Sequence, residues 1–332
     1  MAALEGTGPD AVAAALSTND DACSITTWYE AHKALTFKTV IIPLPALFID
    51  WLGSDGPCML PRTKRGARAT ARTRMDDDDC ELSDAEDDGA APHFPVLEGD
   101  VDAAVAAVGG AAFVKLNWSA PQDAAWLGPL KCESAGDVFA LLAASSLVKQ
   151  DVARAATVVL AVRRFAAVEA SREFRCFWLD GQLVAACQRH VDTVFRDLAD
   201  EVVLSEVRSR LRAFFDRSLS LPAHCVVDVV VEARSTYLVD VNVAAQRTDP
   251  LLFAWADVLA LRCPAAGPRP PTQSFELRVV EGDQFAVRAS AMSSFRAPMD
   301  VAAIAEAGGL DELVRRSRLD DSSSSSSDGG GD

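Results

Sequence analysis

Along this chain, short β-branched apolar runs alternate with longer stretches of helical periodicity. Residues 226–231 (VVDVVV) and 237–243 (YLVDVNV) are two such runs, separated by a few polar residues, and predict two antiparallel strands joined by a short turn. Residues 173–177 and 183–189 flank Leu179-Asp180-Gly181-Gln182 and predict a second hairpin on an Asp-Gly turn. Further strands are expected over 36–44, which two prolines end, and over 111–116, 156–165, 275–280 and 285–288. Helical periodicity covers 101–108, closed by Gly109-Gly110, and then 134–145, 198–219 and 249–261. Hairpins recurring among helices predict an α+β fold with antiparallel sheets, not a Rossmann alternation.

Polar residues that break the most apolar hairpin carry the first chemical signal. Asp228 interrupts one strand, and Asp240 with Asn242 interrupt the other. Side chains two apart on a strand share a face, and in a closed hairpin Asp228 faces the same way. Such strands can turn a polar face to water, but the flanking valines leave few positions for one. Two buried carboxylates side by side oppose each other's ionisation, and a divalent cation removes that cost. Carboxylates plus an amide oxygen, completed by water and phosphates, describe Mg²⁺ better than Zn²⁺ or a structural Ca²⁺ cage.

Cationic and amide side chains gather at other strand ends: Lys115 with Asn117, Arg163 with Arg164, then Arg175 and Arg189. Each taken singly reads as a surface residue with a buried stem. Together with the carboxylate hairpin they point to a triphosphate, its oxygens neutralised by the cations and bridged by the metal. Glu173 is placed to take a ribose hydroxyl or orient an arginine, and Phe165 or Trp118 to sandwich an adenine. No GxGxxG or GxxxxGK[ST] is present, so phosphates must be held by side chains rather than by a glycine-rich loop.

The chain has 332 residues, 49% of them hydrophobic, enough for one large or two moderate globular domains. Its net charge of −16 argues against general duplex-DNA binding, which needs a basic footprint. A basic block followed by an acidic block marks residues 62–92 as a charged low-complexity insert. The eight cysteines form no CxxC pair, which argues against a zinc site and fits reduced thiols in a cytoplasmic protein. Residues 1–21 hold no basic residue, so no signal peptide is expected, and no apolar run reaches membrane-spanning length. The expected organisation is a flexible N-terminus (1–22), a first lobe (23–61 and 93–155) interrupted by the insert, a second lobe (156–300), a helical segment (301–319) and a disordered Ser/Gly/Asp tail (320–332).

The motifs themselves carry a resemblance. Lys115-Leu116-Asn117-Trp118-Ser119-Ala120-Pro121, Arg163-Arg164-Phe165, Glu173-Phe174-Arg175, Gln188-Arg189, Val226-Val227-Asp228 and Leu238-Val239-Asp240-Val241-Asn242 resemble, in order, the signature blocks of the cell-division-cycle protein 123 family. The resemblance also takes in Trp28-Tyr29 and extends to about residue 261. It implies an ATP-grasp fold, two α+β lobes whose antiparallel sheets clasp ATP and magnesium. It implies an assembly chaperone that binds the gamma subunit of eukaryotic translation initiation factor 2 and promotes joining of the other subunits, a monomer apart from that client. Carried over by position, Lys115, Asn117, Trp118, Ala120, Arg163, Arg164, Phe165, Glu173, Arg175 and Arg189 contact the nucleotide. Asp228, Asp240 and Asn242 are then the magnesium ligands. The family's Asn-Pro-aromatic, Arg-Lys-Trp and Thr-Asp-Ser appear here as Asn242-Val243-Ala244, Arg163-Arg164-Phe165 and Thr248-Asp249-Pro250, changes that spare the metal ligands. An ATP-grasp ligase transferring phosphoryl or adenylyl groups to a small acid or an RNA end is the other reading, though no dedicated nucleophile stands out.

Overall fold

The computed structural model describes residues 20–54, 59–64, 91–127, 129–262 and 275–281. Most of the expected insert, the strand expected over 285–288, the segment 301–319 and the tail lie outside the described residues.

Two sheets organise the chain. The smaller has the order β1-β3-β2, with β1 Thr39–Pro43, β2 Ala112–Lys115 and β3 Val159–Arg164, all antiparallel. The larger has the order β7-β6-β4-β5-β8, from β4 Glu173–Leu179, β5 Gln182–Gln188, β6 His224–Val231, β7 Thr236–Val243 and β8 Glu276–Arg278. Its pairs are antiparallel except β5 with β8, which run parallel. The expected α+β character with antiparallel sheets is what forms.

Helices cover the outer faces. In chain order they are α1 Ile25–His32, α2 Ala46–Gly53, α3 Pro95–Val108, α4 Ala135–Ala143, α5 Ser146–Arg154, α6 Glu201–Phe215 and α7 Trp255–Ala260. The helix starts follow local chemistry: Ser134, Ser145 and Asp200 each accept a backbone N–H of the first turn, and Pro95 opens α3. Gly109, at φ 114°, closes α3 in the left-handed conformation that a side chain would resist. Alternate residues of the small sheet, Ile42, Val114, Leu160 and Val162, pack against α2, α3 and α4 as one core. On the larger sheet Phe174, Cys176, Val227, Val229 and Val241 pack against Leu211 and Phe214 of α6.

Two placements differ from the sequence expectation. β3, expected to open the second lobe, is the central strand of the small sheet, so the lobe boundary falls after it. Ile25, Trp28 and Tyr29 of α1, expected in the first lobe, are buried in the core of the larger sheet. Burial explains both: β3 has two apolar faces, with Leu160 and Val162 in one core and Val159 and Ala161 in the other. That strand is the seam between the lobes.

The Asp-Gly hairpin forms as expected. Asp180 and Gly181 have φ of 53° and 70°, the paired positive values of the turn whose twist matches its strands. Among the described residues, no helix is long and apolar enough to cross a membrane.

Candidate functional site

The valine-rich hairpin β6–β7 sets Asp228 and Asp240 directly opposite each other. The next strand, β4, sets Arg175 opposite Asp228 from the other side, so a charged row crosses three strands on one face. Arg175 grips Asp228 with both ends of its fork, Nε to Oδ1 and Nη2 to Oδ2 at 2.8 Å each. Its remaining Nη1 donates to the Asp249 carbonyl at 2.7 Å, which anchors the loop after β7. Asn242 leans toward the same carboxylate, Nδ2 to Oδ2 at 3.4 Å, and Arg189 lies 3.9 Å from it.

The small sheet contributes from across the cleft. Lys115 ends β2, is 1% exposed, and forms an ion pair with Asp240 Oδ1. The turn beyond it is fixed by buried Asp151, whose carboxylate accepts the N–H groups of Trp118 and Ser119. Arg163, on the neighbouring β3, donates to the Val239 carbonyl at 2.7 Å and to Thr36 Oγ1 at 2.9 Å.

Between the sheets lies a cavity of about 560 Å³. Nine of the thirteen site residues expected from sequence line it: Lys115, Ala120, Arg163, Arg164, Phe165, Glu173, Arg189, Asp228 and Asp240. Arg175 and Asn242 sit beside it, holding Asp228. Asn117 and Trp118 do not line it. Asn117 instead accepts the Val159 N–H and donates to the Thr157 carbonyl, while the Trp118 ring N–H donates to the Asp20 carbonyl. Arg154 stacks over the Trp118 ring at 4.9 Å, so that ring is occupied by protein.

Several lining residues were not singled out in the sequence. Phe113 stands two positions before Lys115 on β2, and strand alternation alone was the signal that puts them on one face. Phe37 belongs to the segment before β1 and stacks on Tyr237 at 5.8 Å, a contact no local pattern encodes. His190 lies 3.5 Å from Glu173 at the cleft edge.

Charged side chains of both signs meet here. Burial alone would raise the pKa of Asp228, but the charge and hydrogen bonds of Arg175, then the charges of Arg189 and Lys115, outweigh it and hold the carboxyl below the usual range. Burial likewise works against the Arg175 charge, and Asp228 reverses the effect and raises its pKa. Arg163 and Arg189 are both lowered, chiefly by burial, and for Arg189 also by the nearby Arg175. Arg163 meets backbone and hydroxyl oxygens rather than a carboxylate at hydrogen-bond distance, with the Asp240 charge nearby partly offsetting its burial. Such a site suits an anionic ligand with apolar surface, since Phe37, Phe113, Phe165 and Val168 add an apolar lining to those cations.

The donor set also fits a hard cation of one kind. No group of three His, Cys, Asp or Glu able to hold a metal occurs among the described residues. With two opposed carboxylates and an amide, a hard ion such as Mg²⁺ would need further oxygens from water or phosphate to complete its shell.

Two lobes, each built on a mainly antiparallel sheet and facing across a charged cleft, make this a two-lobed α+β protein. The chain belongs to the D123 family, whose model matches residues 28–305. Among curated relatives, a "Translation initiation factor eIF2 assembly protein" of Emericella nidulans is 32% identical over 73% of this chain and 64% of its own length. A "Cell division cycle protein 123" of Aspergillus terreus is 31% identical over 73% of this chain and 63% of its own length. The chain thus spans just under two thirds of these relatives. The solved structure of Cdc123 from Schizosaccharomyces pombe, 23% identical, superposes with a TM-score of 0.62 over 80% of this chain and 99% of that one, and shows the same fold.

Proposed function

We propose that the interlobe cleft binds Mg-ATP, and that the protein is an ATP-dependent assembly chaperone of the cytoplasm. Its client is the gamma subunit of eukaryotic translation initiation factor 2, and its action promotes assembly of the heterotrimer and so translation initiation. The observation that carries the nucleotide reading is the opposed pair Asp228 and Asp240, set in a cleft that Lys115, Arg163, Arg164 and Arg189 also line. The name of the Emericella nidulans relative, an eIF2 assembly protein, supports initiation factor 2 as the client, and the gamma subunit is our finer reading.

In this reading Lys115, Arg163, Arg164 and Arg189 face phosphate oxygens, Phe165 and its apolar neighbours face the base, and Glu173 takes a ribose hydroxyl. Asn117, Trp118 and Ala120 shape the turn that presents Lys115, and Arg175 holds Asp228 in place. Asp228, Asp240 and Asn242 hold magnesium, which when bound neutralises phosphate charge. Burial, and for Cys23 the nearby Asp240 charge, pushes both Cys23 and Cys187 up to about 12, so neither thiol is a nucleophile at neutral pH.

Calorimetry with ATP, with and without Mg²⁺, tests the cleft. Capture of the purified gamma subunit by this chain, with and without Mg-ATP, tests the client. Absent capture, together with release of ADP or diphosphate in the presence of a small acid or an RNA end, would replace the chaperone with a ligase.

A further inference from the structure

β7 carries one residue more than β6 can pair. Asp228 lies opposite Asp240 but Val229 lies opposite Leu238, so Val239 is the extra residue of a β-bulge. Burial changes phase at the same point: Thr236 and Leu238 are buried before it, Val241 and Val243 after it. Continuing the Leu238 register without the bulge would set Val239 opposite Asp228. Asp240 would then lie opposite Val227, a residue of the face packed on α6. A one-residue slip moves a strand's side chains to the other face, so the bulge is what turns Asp240 into the cleft beside Asp228.

The bulge is held from the other lobe. The carbonyl of the extra residue, Val239, accepts Arg163 Nη1 at 2.7 Å. The adjoining Leu238 carbonyl accepts the Thr36 hydroxyl at 2.6 Å, and the Thr36 oxygen accepts Arg163 Nη2 at 2.9 Å. Thr36 therefore donates to β7 and accepts from the guanidinium, the two roles a hydroxyl can fill together. Arg163 is 2% exposed and lies 5.6 Å from the Trp28 ring and 5.9 Å from the Phe37 ring. A planar fork fixed in this way reaches two acceptors at once, which a lysine ammonium on a flexible stem does not reproduce.

We propose that Arg163, acting through Thr36, is the positioning group that locks the Val239 bulge and so keeps Asp240 opposite Asp228. The inference rests on the reading of those carboxylates as a magnesium site, and gives Arg163 a task distinct from contacting phosphate. Thr36 is not among the residues lining the cleft, so its hydroxyl can be removed without removing a lining side chain.

The test uses the full chain with Thr36→Val, Thr36→Ser and Arg163→Lys. Hydrogen exchange without nucleotide reads the bulge over residues 237–241, and calorimetry reads ATP binding as a function of Mg²⁺. Thr36→Val and Arg163→Lys are expected to raise exchange there. Thr36→Val is expected to weaken the Mg²⁺-dependent part of binding by roughly 10–100-fold, as loss of groups that orient metal ligands does, and to leave Mg²⁺-free binding unchanged. Thr36→Ser keeps the hydroxyl and is expected to behave as the unsubstituted chain. Unchanged exchange in both variants would overturn the proposal, as would equal weakening with and without Mg²⁺ in Thr36→Val. Were the unsubstituted chain to bind no nucleotide, the site reading would fall, while the exchange comparison would still decide whether Arg163 and Thr36 hold the bulge.

Discussion

Lys115, at the end of a strand in one lobe, reaches across the cleft to Asp240 in the other, and almost none of its surface meets solvent. Neither charge is disposable, because each is the other's counter-ion. Removing one partner of a buried pair leaves the other desolvated and unmatched, a loss of about 3–5 kcal/mol. Asp240→Ala is therefore expected to lower stability by about that amount, measured by denaturant titration. Asp240→Asn keeps the shape and an acceptor, and is the variant for calorimetry. It is expected to abolish the Mg²⁺ dependence of ATP binding, and an unchanged dependence would remove Asp240 from the metal site.

Arg175 and Asp228 make a tighter pair, bidentate and buried in the middle of the larger sheet. Arg175→Leu leaves Asp228 with Arg189 at 3.9 Å as its nearest cation. The expected loss is again about 3–5 kcal/mol in denaturant unfolding. A change under about 1 kcal/mol, the scale of an exposed pair, would show that water reaches Asp228 freely.

Asn117 separates a structural role from a binding one. Its side chain accepts the Val159 N–H at 3.0 Å and donates to the Thr157 carbonyl at 2.9 Å, fixing the start of β3. Asn117→Ala leaves that buried N–H unpaired, at about 1–3 kcal/mol in stability. ATP affinity measured well below the melting temperature is expected to stay close to that of the unsubstituted chain. A large loss of affinity with stability intact would make Asn117 a ligand contact.

His224 gives the protein a pH response away from the cleft. Burial lowers its pKa from the ordinary 6.5, more than Asp180 raises it. The unfolded chain thus takes up the proton first as pH falls, so the contribution of this residue is complete above about pH 6.5 and declines as pH drops toward the lower folded value. His224→Gln is expected to flatten thermal stability between pH 7 and pH 5, roughly the window in which an ordinary histidine charges. An identical slope in the variant would sink the idea.

Where apolar runs had one face to bury, the sequence was readable. The two hairpins and the Asp-Gly turn followed from alternation and turn chemistry. The bulge at Val239 did not, because a change of strand phase depends on what the facing lobe offers to an unpaired carbonyl. Helix α1 was hidden by its β-branched start, Ile25-Thr26-Thr27. Its buried positions Ile25, Trp28, Tyr29 and His32 do keep helical spacing, and tertiary packing overrides the weak local preference. For Asn117 and Trp118 the motif gave the neighbourhood of Lys115 but not the direction of side chains once the strand had ended.

β7 is the outer strand of the larger sheet, yet its edge is not bare: the Leu238 N–H donates to the Leu35 carbonyl, and Thr36 bridges to Leu238 in parallel. The segment that covers it runs straight on into β1 of the other lobe. A swing of the lobes wide enough to carry that segment away would strip the margin and offer open backbone to any second strand nearby. Staying closed is thus also a safeguard against sticking to copies of itself.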